Sequence, residues 1–361
     1  MANQVIVLVG TTKGAFFFHS DERRREWRMT GPHLGGWEVY SLLGDSRHTP
    51  RVYAGTGHFV YGTTVRVSDD FGANWTEVES SPRYEQDSGF TLKHIWQLVP
   101  GHHSEPDTLY AGVEEAGLFV SRNRGRTWEE VSGLTQHPTR PGWAPGGGGL
   151  CLHTILIDPN NPRRMWVAMS AVGVFRTDDG GESWKVCNQG LPEVPTGQPY
   201  PEVGRCVHKM VLDPADSNTL YLQFHWGLFK STNGADSWSP IEDGVPSTFG
   251  FPMVVTRAGD LFVIPMHSDI QRYMPEGQLR VYRSRNRGAS WEASGSGLPD
   301  HPVYTGVLRD AMAVDALEPA GIYFGTSMGE LFYSPDAGER WEQLPAQLPR
   351  ITTVKTWVLE A

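Results

Sequence analysis

Residues 177–184 read Thr-Asp-Asp-Gly-Gly-Glu-Ser-Trp, and the phrase returns at intervals of about fifty residues along the 361-residue chain. It stands at 68–75 as SDDFGANW, at 121–128 as SRNRGRTW, at 231–238 as STNGADSW, at 284–291 as SRNRGASW and at 334–341 as SPDAGERW. A degenerate first copy, SDERRREW, occupies 20–27. The copies end on Trp27, Trp75, Trp128, Trp184, Trp238, Trp291 and Trp341. Seven residues before each Trp stands a hydroxyl, five before it a carboxylate or amide, and three before it a glycine in five copies, with Arg24 and Ala235 as the departures. The hydroxyl and the Asx side chain are suited to capping the backbone donors of a tight turn, the glycine accepts positive φ, and the tryptophan anchors an outer strand. A fixed period of this size signals repeated supersecondary units.

Four short segments accompany each phrase. Around Trp184 they are CLHTILID, RMWVAMS, GVFRTD and SWKVC, each alternating or continuously apolar over a strand's length. Four strands in each of seven repeats predict an all-β, seven-bladed β-propeller that takes up residues 1–361 as a single domain. The register also predicts how the ring closes. The chain begins with only three strands of a blade, VIVLVG, GAFFFHS and EWRM, and ends on an unmatched one, TTVKTWVLE, which should complete the first blade as its innermost member.

Composition narrows the partners. With 41 Gly, 26 Pro, 13 Trp and only 20% charged residues, the chain is rich in turns and short aromatic strands, which excludes a helical bundle. Thirty-one Lys plus Arg against 41 Asp plus Glu give a formal net charge of −10, so nucleic acid is not an expected partner. There is no apolar run of the roughly 18 residues a spanning helix needs, and residues 1–10 lack a signal peptide's basic start and cleavage site; no membrane is expected and the chain reads as cytoplasmic. Cys151, Cys187 and Cys206 are too few for a disulfide framework, which fits a reducing compartment. Four consecutive glycines, Gly146 to Gly149, are not followed by Lys-Ser/Thr, so no phosphate loop and no nucleotide or organic cofactor is expected. The sequence carries no signal for oligomeric state.

The Ser-x-Asp/Asn-x-Gly-x-x-Trp phrase resembles the Asp-box, or BNR, repeat of sialidase-like β-propellers, seen also in xyloglucanases, sortilin-type receptors and a photosystem assembly factor. The resemblance spans the whole chain and implies that the boxes are structural, with function in separate sites. Sialidases of this superfamily hold a substrate carboxylate with three arginines; their early Arg-Ile-Pro signature is absent here, and Arg205, Arg272 and Arg309 are the arginines expected on the site face. Xyloglucanases cleave between two propellers with paired carboxylates, whereas this chain supplies one propeller.

The site face follows from topology. Inner strands start at one face, the second-to-third-strand turns return to it, and the boxes lie at the other. Inner strands aligned on their ends place Tyr40, His94, His153, His208 and Asp310 at one height. Three histidines on three consecutive blades, His94, His153 and His208, form a candidate ligand set for Zn²⁺, Mn²⁺ or Fe²⁺ with open positions for substrate. Cys151 and Cys206, two residues earlier on two of these strands, are secondary ligand candidates. The competing reading is a wet channel whose histidines hydrogen-bond to carbonyls and bind nothing. The second-to-third turns add His58, Tyr61, Glu114, Glu115, His225, Trp226, His267 and Arg272 to the rim. Two long connections, 132–150 with Trp143 and 188–205 with Arg205, flank the histidine strands; long ordered loops signal binding or gating.

Two functions are compatible with this pattern. The first is a hydrolase or lyase acting on a small polar, carbohydrate-derived molecule, with His94, His153 and His208 on a divalent metal and Tyr40, Glu115, Arg309 and Asp310 as catalytic groups. Its substrate would be held by His58, Tyr61, His225, Trp226, His267, Arg272, Trp143 and Arg205. By fold-level analogy, certain uronate lyases hold a metal on three histidines inside a seven-bladed ring. The second is a non-enzymatic scaffold that grips a peptide or protein on the loop-bearing face, with Trp143 and Trp226 as anchors.

Overall fold

The computed structural model describes residues 3–193 and 200–360. Among these residues the strands form seven four-stranded antiparallel sheets arranged as the blades of a ring. Blade 1 runs from inside to outside as Ile351–Leu359, Gln4–Thr11, Gly14–Asp21 and Arg28–His33. Blades 2 to 7 begin on the inner strands Glu38–Asp45, His94–Pro100, Leu152–Asp158, Val207–Asp213, Gly250–Val255 and Met312–Val314. Their outermost strands are two residues long, which leaves little free edge for another chain to pair with. No helix here is long and apolar enough to cross a membrane.

The C-terminal strand closes the ring as expected. Ile351–Leu359 pairs antiparallel with Gln4–Thr11, with Gln4 opposite Leu359 and Gly10 opposite Thr353. Trp357 then drives its indole against blade 2 at Gly44, where a Cβ would stand only 2.3 Å from the ring. Glycine is required there by space alone. A second clasp comes from the degenerate first box. Arg24 stands where five of the other copies have glycine and carries its guanidinium into blade 7, where it pairs with buried Asp315 at 2.7 Å.

The six regular boxes cap their turns as the residue types dictate. In the second, the Ser68 hydroxyl accepts the Gly72 N–H at 2.8 Å and donates to Asp70 Oδ1, which also accepts the Asn74 N–H. The tryptophans divide into two groups. Trp75, Trp128 and Trp184 donate to the glycine carbonyl of their own turn. Trp238, Trp291 and Trp341 instead reach the preceding blade, donating to the carbonyls of Cys187, Ile241 and Ser294. The core lies between blades: Tyr110, Leu118 and Val120 of blade 3, for example, pack on Met165, Val167 and Phe175 of blade 4.

Because Trp357 fills space that nothing else reaches, Trp357→Ala should cost about 3–5 kcal/mol of unfolding free energy. Denaturant titration checks this, and a change below 1 kcal/mol would mean that the closing strand is held by its backbone ladder alone.

Candidate functional site

In six blades the inner strand is interrupted near its start by a β-bulge. The residues left out of the ladder are Thr352, Tyr40, Trp96, His153 and His208 in blades 1 to 5, and Phe251 with Pro252 in blade 6. A bulge adds one residue to one strand and re-aims its side chain. Tyr40, Trp96, His208, Phe251 and Thr352 thereby come to line a single cavity of about 510 Å³ at the mouth of the channel. Second-to-third-strand turns contribute Ser170, His225, Arg272 and Ser327, and the inter-blade connections contribute Gly147, Gly148 and Arg309. This is the face expected from the topology.

The cavity is cationic in an acidic protein. Arg272 of blade 6, Arg309 ahead of blade 7 and Arg350 at the start of blade 1's inner strand all line it, against one carboxylate, Glu38. Arg309 is buried, with Nη1 3.0 Å from the Cys151 sulfur and its guanidinium carbon 5.3 Å from the centre of the Trp96 ring. Arg272 lies 5.8 Å from the Phe251 ring centre. The glycine run closes on this pair of arginines: a Cβ at Gly147 would lie 3.5 Å from Arg272 Nη2, and one at Gly148 the same distance from Arg309 Nη2. Gly149, at φ +91, leaves only 2.5 Å between its would-be Cβ and the Glu114 carboxylate. At Gly149 the backbone passes where a side chain would not fit, whereas Gly147 and Gly148 stand at ordinary contact distance from the arginines.

The histidine triad does not assemble. Alignment on strand ends put His94 level with His153 and His208, but the bulges make Trp96 their equivalent in blade 3. His94 packs at a tilt against Tyr40, with ring centres 4.4 Å apart, and holds Glu114 through Nδ1 at 2.9 Å. His153 is wholly buried between blades; Nε2 meets the Val207 carbonyl at 3.0 Å and Nδ1 the Thr154 hydroxyl at 3.0 Å. Burial, helped by the Arg309 charge, keeps its pKa well below the ordinary value, so the ring is neutral. His208 likewise donates from Nδ1 to the Gly250 carbonyl at 2.6 Å, and burial lowers its pKa to about 3. Carbonyl-bound histidines were the competing expectation, and for these two rings it describes the contacts.

Other expectations also need correction. Asp310 does not open on the cavity. It is buried beneath it, accepting from Lys209 at 2.6 Å, from Lys355 at 3.4 Å and from Gln97. Burial disfavours its charge, but the two lysines outweigh that and hold its pKa at about 2. Glu115 stands outside the cavity in an ion pair with Lys93 at 2.8 Å. Arg205 is buried, spending Nη1 on the Val203 carbonyl. Trp143 is core, not an exposed anchor: its indole donates to Thr139 and packs edge-on to Phe175. His58, Tyr61, Trp226 and His267 lie on the outer rim and do not line the cavity. The connection before blade 5 falls partly on residues 194–199, outside the described residues. Of the expected site residues, Tyr40, Cys206, His208, His225, Arg272 and Arg309 come together; Glu38, Trp96, Phe251 and Arg350 were missed. Arg350 had a signal, since it immediately precedes the closing inner strand.

No family model matches the chain. A reducing-end-specific oligoxyloglucan xyloglucanase of Emericella nidulans is 22% identical over 346 aligned residues, which cover 83% of this chain and 41% of that protein. Its curated relatives are xyloglucanases. A solved ancestral GH74 enzyme superposes with a TM-score of 0.56 at 16% identity, covering 91% of this chain and 39% of that one. The structure of YCF48 bound to D1 peptide gives 0.52 at 13% identity, covering 84% and 81%. The solved structures establish the likeness as one of fold. The chain spans about two fifths of the Emericella xyloglucanase's length.

Asp310→Asn should cost about 3–5 kcal/mol at neutral pH by leaving two lysines without their counter-ion. The folded pKa of Asp310 is depressed, so its stabilisation is complete above the ordinary carboxylate value and is lost as pH falls toward 2. Thermal melts should therefore show a loss of stability between about pH 4 and pH 2 that the Asn variant lacks.

Proposed function

We propose that the cavity binds a small carbohydrate-derived acid and cleaves it, as a hydrolase or lyase. The observation that carries this reading is that three arginines, Arg272, Arg309 and Arg350, line one cavity together with the aromatic residues Tyr40, Trp96 and Phe251. Guanidinium forks match a carboxylate, and aromatic faces match the C–H face of a sugar ring. A volume of about 510 Å³ suits a molecule of one or two sugar units. The xyloglucanase relatives support a carbohydrate substrate.

Glu38 and Tyr40 come from blade 2, across the ring from Arg272. The Tyr40 phenol is protonated at neutral pH, more firmly so for its burial, and is the cavity's hydroxyl placed to donate a proton to the leaving oxygen. Glu38 is the carboxylate that takes a proton from the substrate or from water. The arginines neutralise the substrate carboxylate and stabilise the charge that develops beside it. A second reading, docking of a protein partner, is supported by the exposed apolar residues Phe59, Val60, Tyr61, Trp226, Ile270 and Met328 on turns of the same face.

Calorimetric titration separates the two. A uronic acid should bind more tightly than its neutral sugar, and Arg350→Ala should weaken it about 10–100-fold, as expected for losing a charged hydrogen-bond partner. Equal affinity for acid and neutral sugar, or an Arg350→Ala variant that binds as the wild type does, would contradict the anionic substrate.

A further inference from the structure

Three side chains on the blade 5 side of the cavity converge, with the Cys206 thiol in hydrogen-bond contact with His208 Nε2. Cys206 precedes the inner strand Val207–Asp213, His208 is its bulged residue, and His225 sits in the turn between Asp216–Phe224 and Gly227–Ser231. The Cys206 sulfur, one nitrogen of His208 and one of His225 all lie within 4.8 Å of one another. Among the described residues this is the one group of three or more His, Cys, Asp or Glu side chains so disposed.

Each imidazole is already set up as a ligand. The Gly250 carbonyl can only accept, so Nδ1 of His208 carries the proton and Nε2 presents its lone pair toward Cys206. His225 has Asp269 Oδ2 at 3.4 Å from Nε2, and its Nδ1 is buried with no hydrogen-bond partner among the described residues. A carbonyl or carboxylate on the far nitrogen is the outer support that metal-bound histidines have. The spacing also fits. Bonds of about 2.3 Å to sulfur and about 2.0–2.1 Å to nitrogen put neighbouring ligands of a tetrahedral zinc about 3.6 Å apart. Cys206 Sγ stands 3.6 Å from His208 Nε2.

We infer that Cys206, His208 and His225 form a binding site for one divalent ion of the zinc class. Sulfur with two imidazoles selects such an ion over magnesium, calcium or manganese. Three protein ligands leave a fourth position, and all three residues line the cavity that Arg272 and Arg309 also line. The fourth position is thus open to water or to an oxygen of an anionic ligand. Binding releases the thiol proton, and the resulting thiolate offsets one of the ion's two charges. The site differs from the His94, His153 and His208 set expected from sequence, and it stands whether or not the cavity turns over a sugar acid.

The test uses the full chain purified without a histidine tag, stripped with a chelator and titrated with Co²⁺ alone. One equivalent should bind, with a sulfur-to-cobalt charge-transfer band in the near ultraviolet that Zn²⁺ displaces. Cys206→Ser, nearly isosteric, should abolish the band, and His225→Ala should abolish stoichiometric binding, each with an unchanged far-ultraviolet dichroism spectrum. Asp269→Asn should weaken binding about 10–100-fold through His225, and His94→Ala should leave it unchanged. Absence of the charge-transfer band in the wild type, or its persistence in Cys206→Ser, would overturn the assignment. So would a His94→Ala variant that loses the ion.

Discussion

The pairing of Ile351–Leu359 with Gln4–Thr11 is the constraint on which the rest of the molecule depends. Each sheet of a propeller buries its faces against two neighbours, so a ring left open would expose the faces of two blades. Here the completing strand comes from the far end of the chain, so the ring closes by one long-range pairing. The same strand equips the channel. It brings Arg350 and Thr352 to the cavity and Lys355 to the buried Asp310 beneath it. Closure and construction of the site are one event. The Arg24 to Asp315 pair adds a clasp on the opposite edge of blade 1, which gives the departure from the repeated phrase a physical purpose.

The bulges convert this symmetric frame into a specific one. Regular strands would alternate the inner-strand side chains evenly between the two blade faces. An extra residue near the start of six inner strands breaks that alternation at one height, and the side chains this brings to the cavity differ from blade to blade: Thr352, Tyr40, Trp96, His208 and Phe251. The result is a cavity with aromatic walls, a cationic side and a cysteine-histidine corner, inside a protein whose overall charge is −10. One lining carboxylate, Glu38, distinguishes it from a site that works through a carboxylate pair.

The blades, the closing strand and the face that carries the cavity were legible because they are written in period, strand count and turn chemistry. The box phrase fixes where each third strand ends, and the unmatched terminal segments leave one way to complete the ring. The heights of individual side chains were not legible. Blade 3 lacks the Asp that ends the neighbouring inner strands at Asp45, Asp158 and Asp213, so the alignment ended its strand at Val99, two residues short of Gly101, and placed His94 where Trp96 belongs. His153 was read as facing the channel, yet its ring turns between blades to reach the Val207 carbonyl. Asp310 was read as a catalytic group on the channel because its lysine partners lie far away in sequence, at Lys209 and Lys355. Trp143 looked like an anchor for want of any local sign that Thr139 and Phe175 would enclose it.

The account stands on the claim that the three arginines, drawn from blades 6, 7 and 1, act together on one negatively charged group. A crystal structure of the chain soaked with a uronic acid tests this most directly. The account predicts density for the sugar inside the channel mouth, its carboxylate between Arg272, Arg309 and Arg350 and its ring against an aromatic side chain. A sugar seated elsewhere, or one whose carboxylate points to solvent away from all three guanidinium groups, would contradict it.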